Sequence, residues 1–406
     1  MNILYITSFN VSEKNLGGVN RVVQVLAKEM KNNYKAKVFL GYYYDNDNIE
    51  VKDIFDARIK LLHKELNKEE LKQFLTENQI DIIHTNVAKR ELLFAANQVY
   101  QVAKECGVKV VFQFHFCPMF EYKMHGSFSH LVYAVKKHKN IKTQLNYWLL
   151  TKFRHIIGLF APAILQKKYK IPYQNCDIAV TLSENYFREY AKLIGIKDTD
   201  KMRAIGNALS YEEFAHPNEI LKKQKEVLLV CRLDDFVKRV SFALKIWQKI
   251  EKSELFKEWK FTIVGTGQDL EYLQYYAKKL KLKRCFFEGY QAPLEYYKRA
   301  SIFMMTSSSE GFGMVLTEAL QIGVVPVAFD SFGALHNLIQ NNINGIVVPD
   351  KNLNKFVEQL EYLMQNDEFR NNLALNAVES SKKFIIDKIA KQWNELYTTI
   401  LSKNKN

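Results

Sequence analysis

Glu310 and Glu318 stand eight residues apart around Gly311, Phe312 and Gly313. Carboxylates accept hydrogen bonds at both oxygens and so suit sugar hydroxyls, while the amides that head a helix suit an anion or a ring of hydroxyls. Ile302 to Met305 is an apolar run that empties into Thr306, Ser307, Ser308 and Ser309, which predicts a buried strand followed by a polar loop. Met314 to Ile322 carries its apolar residues on a helical period, and Gly323 falls where a left-handed C-cap belongs. Val324 to Phe329 predicts the next buried strand in spite of Pro326. The unit is therefore strand, glycine turn, short helix, strand. It sets the amides of Gly311, Phe312, Gly313 and Met314 where one elongated ligand meets both acids. The competing reading makes Glu310 a complement to the helix dipole and Glu318 an exposed helix residue, and the two acids alone do not separate these.

Other residues with chemistry fall at the ends of expected strands. Glu226 to Cys231 predicts a strand delivering Arg232, with Lys238 after a short loop and an amphipathic helix to Ile250. Guanidinium binds phosphate bidentately and ammonium acts as a point charge, although ordinary surface charge has the same appearance. Val108 to His115 predicts a strand whose carboxyl end carries His115; ligands gather at such ends in open parallel sheets, and a hydrogen-bonded core histidine is the alternative. Gly17 and Gly18 lie in the loop between a first strand, Asn2 to Thr7, and a helix from Asn20 to Met30, a geometry that accepts phosphate. Asp45-Asn46-Asp47 and Asp198-Thr199-Asp200 sit in polar turns and are read as turn chemistry, not as metal ligands. Gly265-Thr266-Gly267 lacks the third glycine and the acid at the next strand end that a nicotinamide site needs.

The run Glu310-Gly-Phe-Gly, then Glu318, then Gly323-Val-Val-Pro-Val, resembles the signature of the family-four retaining glycosyltransferases, glycosyl transferases group 1. The resemblance implies the GT-B fold: α/β, with two Rossmann-like doubly wound domains facing each other across a cleft. It implies a nucleotide diphosphate sugar as donor, most simply a UDP-sugar, with no cofactor and no metal. Carried onto the matching residues, Glu318 would bind ribose hydroxyls, Arg232 and Lys238 the diphosphate, and Glu310 with the amides of Gly311 to Met314 the donor sugar. By the same resemblance His115 orients the sugar, Gly17 and Gly18 approach the diphosphate or acceptor, and Tyr290 lies near the base. Two departures stand out: Arg239 follows Lys238 where the family has glycine, and Gly206-Asn207-Ala208 replaces Pro-Asn-Gly, so Asn207 receives no role. The alternatives are an epimerase of the same fold acting on sugar nucleotides and a non-catalytic sugar- or anion-binding protein.

The elements that must position these residues need two cores. A chain of 406 residues exceeds the ~250–300 at which a single core stops growing. The expected division is residues 1–207, on the acceptor side, residues 208–384, on the donor side, and a terminal helix, 385–406, crossing back to the first domain. Ile389, Trp393, Leu396, Tyr397 and Ile400 share one face of that helix. Five scattered cysteines without a CxxC pair are expected to be reduced core thiols. The opening Met-Asn-Ile-Leu-Tyr-Ile-Thr is expected to be a first strand and not a signal peptide, and no run reaches the ~20 apolar residues of a membrane span. A cytoplasmic protein is the expectation.

The formal charge of +14 is unevenly placed. Between Lys123 and Cys176 there is no Asp or Glu, while ten Lys and Arg fall there among aromatics such as Tyr147 and Trp148. That mixture fits an anionic membrane face or a polyprenyl-linked saccharide acceptor, and equally a solvated face over buried helices. No nucleic-acid module accompanies it.

Overall fold

The computed structural model of the protein describes residues 1–11, 18–45, 54–62, 66–86, 92–118, 166–167 and 169–402. Runs such as Ile3–Ile6 and Val227–Leu229 are buried residue after residue. Continuous burial without polar alternation marks strands of parallel sheets covered on both faces. Such sheets occur twice, in two compact units. The first gathers the described residues up to Ala208 with Phe384–Asn406, and the second holds the described residues of Leu209–Lys383.

The first unit is built on β1 (Asn2–Phe9), β2 (Lys37–Tyr44), β3 (Ala57–Lys60), β4 (Ile82–Asn86), β5 (Lys109–Gln113), β6 (Ile178–Thr181) and β7 (Met202–Ala204). They lie in the order β3-β2-β1-β4-β5-β6-β7, all parallel. The second unit has β8 (Gln224–Val230), β9 (Lys260–Val264), β10 (Cys285–Gly289), β11 (Ala300–Met305), β12 (Val325–Asp330) and β13 (Ile346–Pro349), in the order β10-β9-β8-β11-β12-β13. The direction of winding reverses between β1 and β4 in one sheet and between β8 and β11 in the other. A doubly wound sheet opens a crevice at the carboxyl ends of its strands at that point.

Pro326 lies within β12, with Gly345 beside it just before β13. A Cβ on Gly345 would stand 2.7 Å from the proline ring, so the smallest residue admits the proline. Glu226 is fully buried in β8, where Arg299 holds it bidentately at 2.9 and 3.0 Å and Lys260 approaches to 3.1 Å. One reading of the sequence changes, and others gain detail. Cys106 is exposed, so it is not a core thiol, although all five cysteines are free. β3 and the helices Leu92–Glu105 and Leu270–Lys279 had no clear signal. Asp198 accepts the amide of Asp200 at 2.7 Å, a local turn bond, while Asp47 lies outside the described residues.

The C-terminal helix Ile386–Ser402 buries Ile389, Ala390, Trp393, Tyr397 and Ile400 and packs on the helix Gly18–Tyr34 of the first unit. Its anchor is His84 of β4, fully buried, whose Nδ1 lies 2.6 Å from the Tyr397 hydroxyl and whose Nε2 lies 3.0 Å from Gln113 Oε1. The Trp393 ring covers the imidazole at 4.4 Å between centroids. Burial, then the neighbouring His115, lowers the His84 pKa to about 3.

Because the folded value lies below the unfolded one of ~6.5, the neutral histidine contributes stability that is whole above that pH and is lost as pH falls toward 3. Urea titrations from about pH 7 to pH 5 should show His84 costing roughly 1.4 kcal/mol per unit once below ~6.5. Tyr397→Phe, which strands His84 Nδ1, should cost about 1–3 kcal/mol at neutral pH; no loss there would remove this bond from the account.

Candidate active site

β8 and β11, the two strands at the crevice of the second unit, end in Val230 and Met305. The loop after β8 carries Arg232 and then a single helical turn, Asp235–Lys238. The loop after β11 carries Thr306 to Gly313 and then the helix Met314–Gln321. A turn as short as Asp235–Lys238 leaves its carbonyls without helical partners. The serines and threonine after β11 supply them: Thr306 Oγ1 donates to the Lys238 carbonyl at 2.9 Å, and both N–H and Oγ of Ser308 donate to the Val237 carbonyl, at 2.7 and 3.0 Å. With the two loops tied, the Lys238 ammonium meets the Glu310 carboxylate at 2.5 Å, both side chains being more than four-fifths buried.

Arg232 stays outside, its side chain 70% exposed, and donates to Asp234 Oδ2 at 3.1 Å. The loop that bears it lies against the one after β9. Gly265 holds φ at +138°, and a Cβ there would sit 1.9 Å from the Cys231 carbonyl oxygen; one on Gly267 would sit 2.4 Å from that of Leu233. The two loops exchange Leu233 N–H to Thr266 O at 2.9 Å and Asp269 N–H to Leu233 O at 3.0 Å. Asp235, raised in pKa by burial, accepts the Ser241 amide at 2.6 Å, and buried Asp269 accepts the Asp235 amide at 2.8 Å. Gly265-Thr266-Gly267 thus serves close backbone approach. Tyr290, 82% exposed, follows Gly289, whose carbonyl accepts the Gly265 amide at 2.7 Å, so it rims the same edge.

Gly313 caps the helix Met314–Gln321 at φ +88°, a left-handed position that favours glycine. Phe312 is buried, and the amides of Gly313, Met314 and Val315 head the helix, whose first internal bond runs from Leu316 N–H to Gly313 O at 2.8 Å. Glu318, one turn in, is only 4% exposed, so it is not an exposed helix residue. Its Oε1 accepts from Ser210 Oγ at 2.7 Å and its Oε2 from the Tyr297 hydroxyl at 3.0 Å. Ser210 and Tyr297 were not foreseen, and neither was the pair formed by Asp330, at the end of β12, and His336, at 3.0 Å.

In the first unit His115 follows β5 at the carboxyl edge and is half-buried. Asn86 Nδ2 donates to the His84 carbonyl at 3.1 Å, which turns Asn86 Oδ1 toward His115 Nε2 at 2.8 Å. His115 Nε2 therefore carries the hydrogen, and Nδ1 presents a lone pair. Burial lowers the His115 pKa to about 3, so the ring is neutral. Gly18 opens the helix Gly18–Tyr34 with open space around it. Gly17 and nearly all of the basic 123–170 stretch lie outside the described residues. Among the described residues no group of three or more His, Cys, Asp and Glu is placed to hold a metal ion, and no helix is long and apolar enough to cross a membrane.

Two parallel α/β units, one with an ion pair, an arginine and a helix N-terminus at its sheet crevice, define a protein of the doubly wound class, in which ligands collect at the carboxyl ends of the strands. Residues 210–380, nearly all of the second unit, match the family Glycosyl transferases group 1. It is 25% identical over 242 residues, 59% of this chain and 65% of the relative, to the Campylobacter jejuni GalNAc-alpha-(1->4)-GalNAc-alpha-(1->3)-diNAcBac-PP-undecaprenol alpha-1,4-N-acetyl-D-galactosaminyltransferase. It is 31% identical over 177 residues, 43% of this chain and 48% of the relative, to the amylovoran biosynthesis glycosyltransferase AmsD of Erwinia amylovora. The chain thus spans less than two thirds of each of these two relatives. The crystal structure of Anabaena HepE in complex with UDP superimposes with a TM-score of 0.70 at 15% identity, covering 98% of this chain and 100% of that one. That likeness shows the fold, GT-B.

Replacing Gly265 by alanine forces a methyl group into the Cys231 carbonyl at a backbone angle that L residues rarely adopt. The expected loss is at least about 3 kcal/mol in denaturant unfolding. An unaltered midpoint would show that the two loops are not locked together.

Proposed function

We propose that the protein is a retaining glycosyltransferase. It moves a hexose or N-acetylhexosamine from a nucleotide diphosphate sugar, a UDP-sugar in the first instance, to a saccharide or lipid-linked saccharide in surface glycan synthesis. The Lys238–Glu310 pair beside the helix that begins at Met314 carries this reading, because it sets a cation and a carboxylate side by side, as the adjoining phosphate and sugar of one donor would require. The family match over residues 210–380 supports it, as do relatives named for glycan assembly and a structural neighbour described with UDP.

In this mechanism Lys238 keeps one donor on Glu310 and turns its others to the diphosphate, while Arg232 swings in from solvent to grip the phosphates bidentately. Glu318 accepts the ribose hydroxyls alongside Ser210. Glu310 and the amides of Gly311 to Met314 hold the sugar hydroxyls, and His115, neutral, orients the sugar through its free Nδ1. The bond from the anomeric carbon to the phosphate oxygen breaks and the bond to the acceptor oxygen forms on the same face. The leaving phosphate takes the acceptor's proton, so no carboxylate base is needed. Fixed cations and amides stabilise the charge that develops on the leaving group, which removes the need for a metal. The reaction belongs at the cytoplasmic face of a membrane, with the basic 123–170 stretch as the acceptor-side contact.

The test is a thermal-shift panel with UDP, GDP, ADP and their sugar conjugates, followed by transfer assays. Binding to the native state raises the melting temperature. UDP should raise it, and Glu318→Ala should abolish the rise. Glu310→Gln should cut transfer at least about 100-fold while leaving the UDP shift in place, since an interaction made mainly in the transition state lowers turnover more than binding. No shift with any nucleotide would end this reading. Consumption of a UDP-sugar without acceptor, giving its epimer, would replace it with the epimerase.

A further inference from the structure

The sheet of the second unit has another edge, opposite the crevice. β10, β9 and β8 are parallel neighbours, so the segments that enter them lie side by side there. Residues 221–225, 252–260 and 278–284 together hold eleven Lys and Arg against two acids, Glu254 and Glu258. Cross-links fix the segments as one surface: Glu251 accepts the Lys283 amide at 3.0 Å, Arg284 donates to the Trp259 carbonyl at 2.9 Å, and Lys260 reaches Gln224 at 3.2 Å.

Some of the cations are spoken for. Lys225 pairs with Glu258, Lys260 with Glu226 and Arg284 with Glu251. Lys252, Lys257, Lys281 and Lys283 make no ion pair among the described residues. The same edge carries Leu255, 78% exposed, and Leu221, 66% exposed, the two most exposed leucines among the described residues. Each comes from a different segment of this edge. Exposed leucines on the same edge as unpaired lysines match a bilayer bearing anionic headgroups. The leucine tips enter the headgroup boundary while the ammonium groups meet the lipid phosphates. Duplex nucleic acid would use the charge and leave the leucines in water.

We propose that this edge of the second unit docks on an anionic lipid bilayer, with Leu221 and Leu255 as its apolar contacts. This surface is separate from the basic 123–170 stretch and does not depend on the activity proposed above.

Co-sedimentation of the full chain with vesicles of phosphatidylcholine alone, and of phosphatidylcholine and phosphatidylglycerol in equal parts, tests it. The chain should bind only the anionic vesicles and release them as salt rises. Joint replacement of Lys252, Lys257, Lys281 and Lys283 by Glu should weaken binding at least roughly tenfold. Leu221→Ser with Leu255→Ser should weaken it while keeping the salt response. Both variants change exposed side chains, so their melting temperatures and UDP shifts should match the wild type. Failure of the wild type to bind anionic vesicles overturns the proposal. So does undiminished binding by the lysine variant, which would place the contact in the 123–170 stretch. Duplex DNA binding that the lysine variant loses and the leucine variant keeps would assign the edge to nucleic acid instead. A missing UDP shift beside intact vesicle binding would sink the transferase reading alone.

Discussion

The second unit depends on one contact between distant parts of the chain, the Lys238–Glu310 pair, whose partners are 72 residues apart in sequence. An ion pair more than four-fifths buried is costly to assemble unless its surroundings fix both ends. Here the fixing is done by backbone. Thr306 and Ser308 satisfy the last carbonyls of the turn Asp235–Lys238, Asp235 satisfies the Ser241 amide, and Asp269 satisfies the Asp235 amide. Groups that would otherwise be left unpaired at the crevice become struts, most of them between the loops after β8, β9 and β11. The ammonium and carboxylate therefore meet by construction, with no reliance on their own attraction.

That construction also accounts for the arginine that follows Lys238. Arg239 holds φ +48° and ψ +42°, a left-handed backbone that costs a non-glycine residue roughly 1–2 kcal/mol. The cost is offset by what glycine lacks. Its guanidinium reaches Asp350 at 2.5 Å and lies 5.7 Å from the Phe242 ring, linking the helix start to the end of β13. The substitution retains the turn that aims Lys238 and adds a tether to the neighbouring strand.

Much of this was legible in the sequence, for a physical reason. Strands buried on both faces read as unbroken apolar runs, so β1, β5, β9 and β11 stood out, and residues at their carboxyl ends were nominated without knowledge of tertiary contacts. The left-handed cap at Gly323 was equally visible, and the structure gives it φ +63°. What stayed hidden depends on side chains finding partners far along the chain. Glu318 looked free to face a ligand, yet Ser210, 108 residues earlier, and Tyr297 already hold its oxygens. His84 was one polar residue in a strand, and only its contact with Tyr397, 313 residues away, makes it the anchor of the last helix. Cys106 was taken for core because nothing local distinguishes a thiol at the exposed end of a helix from one inside.

Gly265 and Gly267 illustrate the limit most sharply. The spacing was not read as a nicotinamide site, because a third glycine and a distal acid were missing. Glycine is nonetheless obligatory there, because a backbone carbonyl from the neighbouring loop occupies the space of each Cβ. A glycine pair at a strand end reports that something must come very close, and sequence does not say whether that is a ligand or the chain itself. Here it is the chain, and the ligand site benefits at one remove: the loop pressed against Gly265 and Gly267 is the one that carries Arg232 and begins the turn of Lys238.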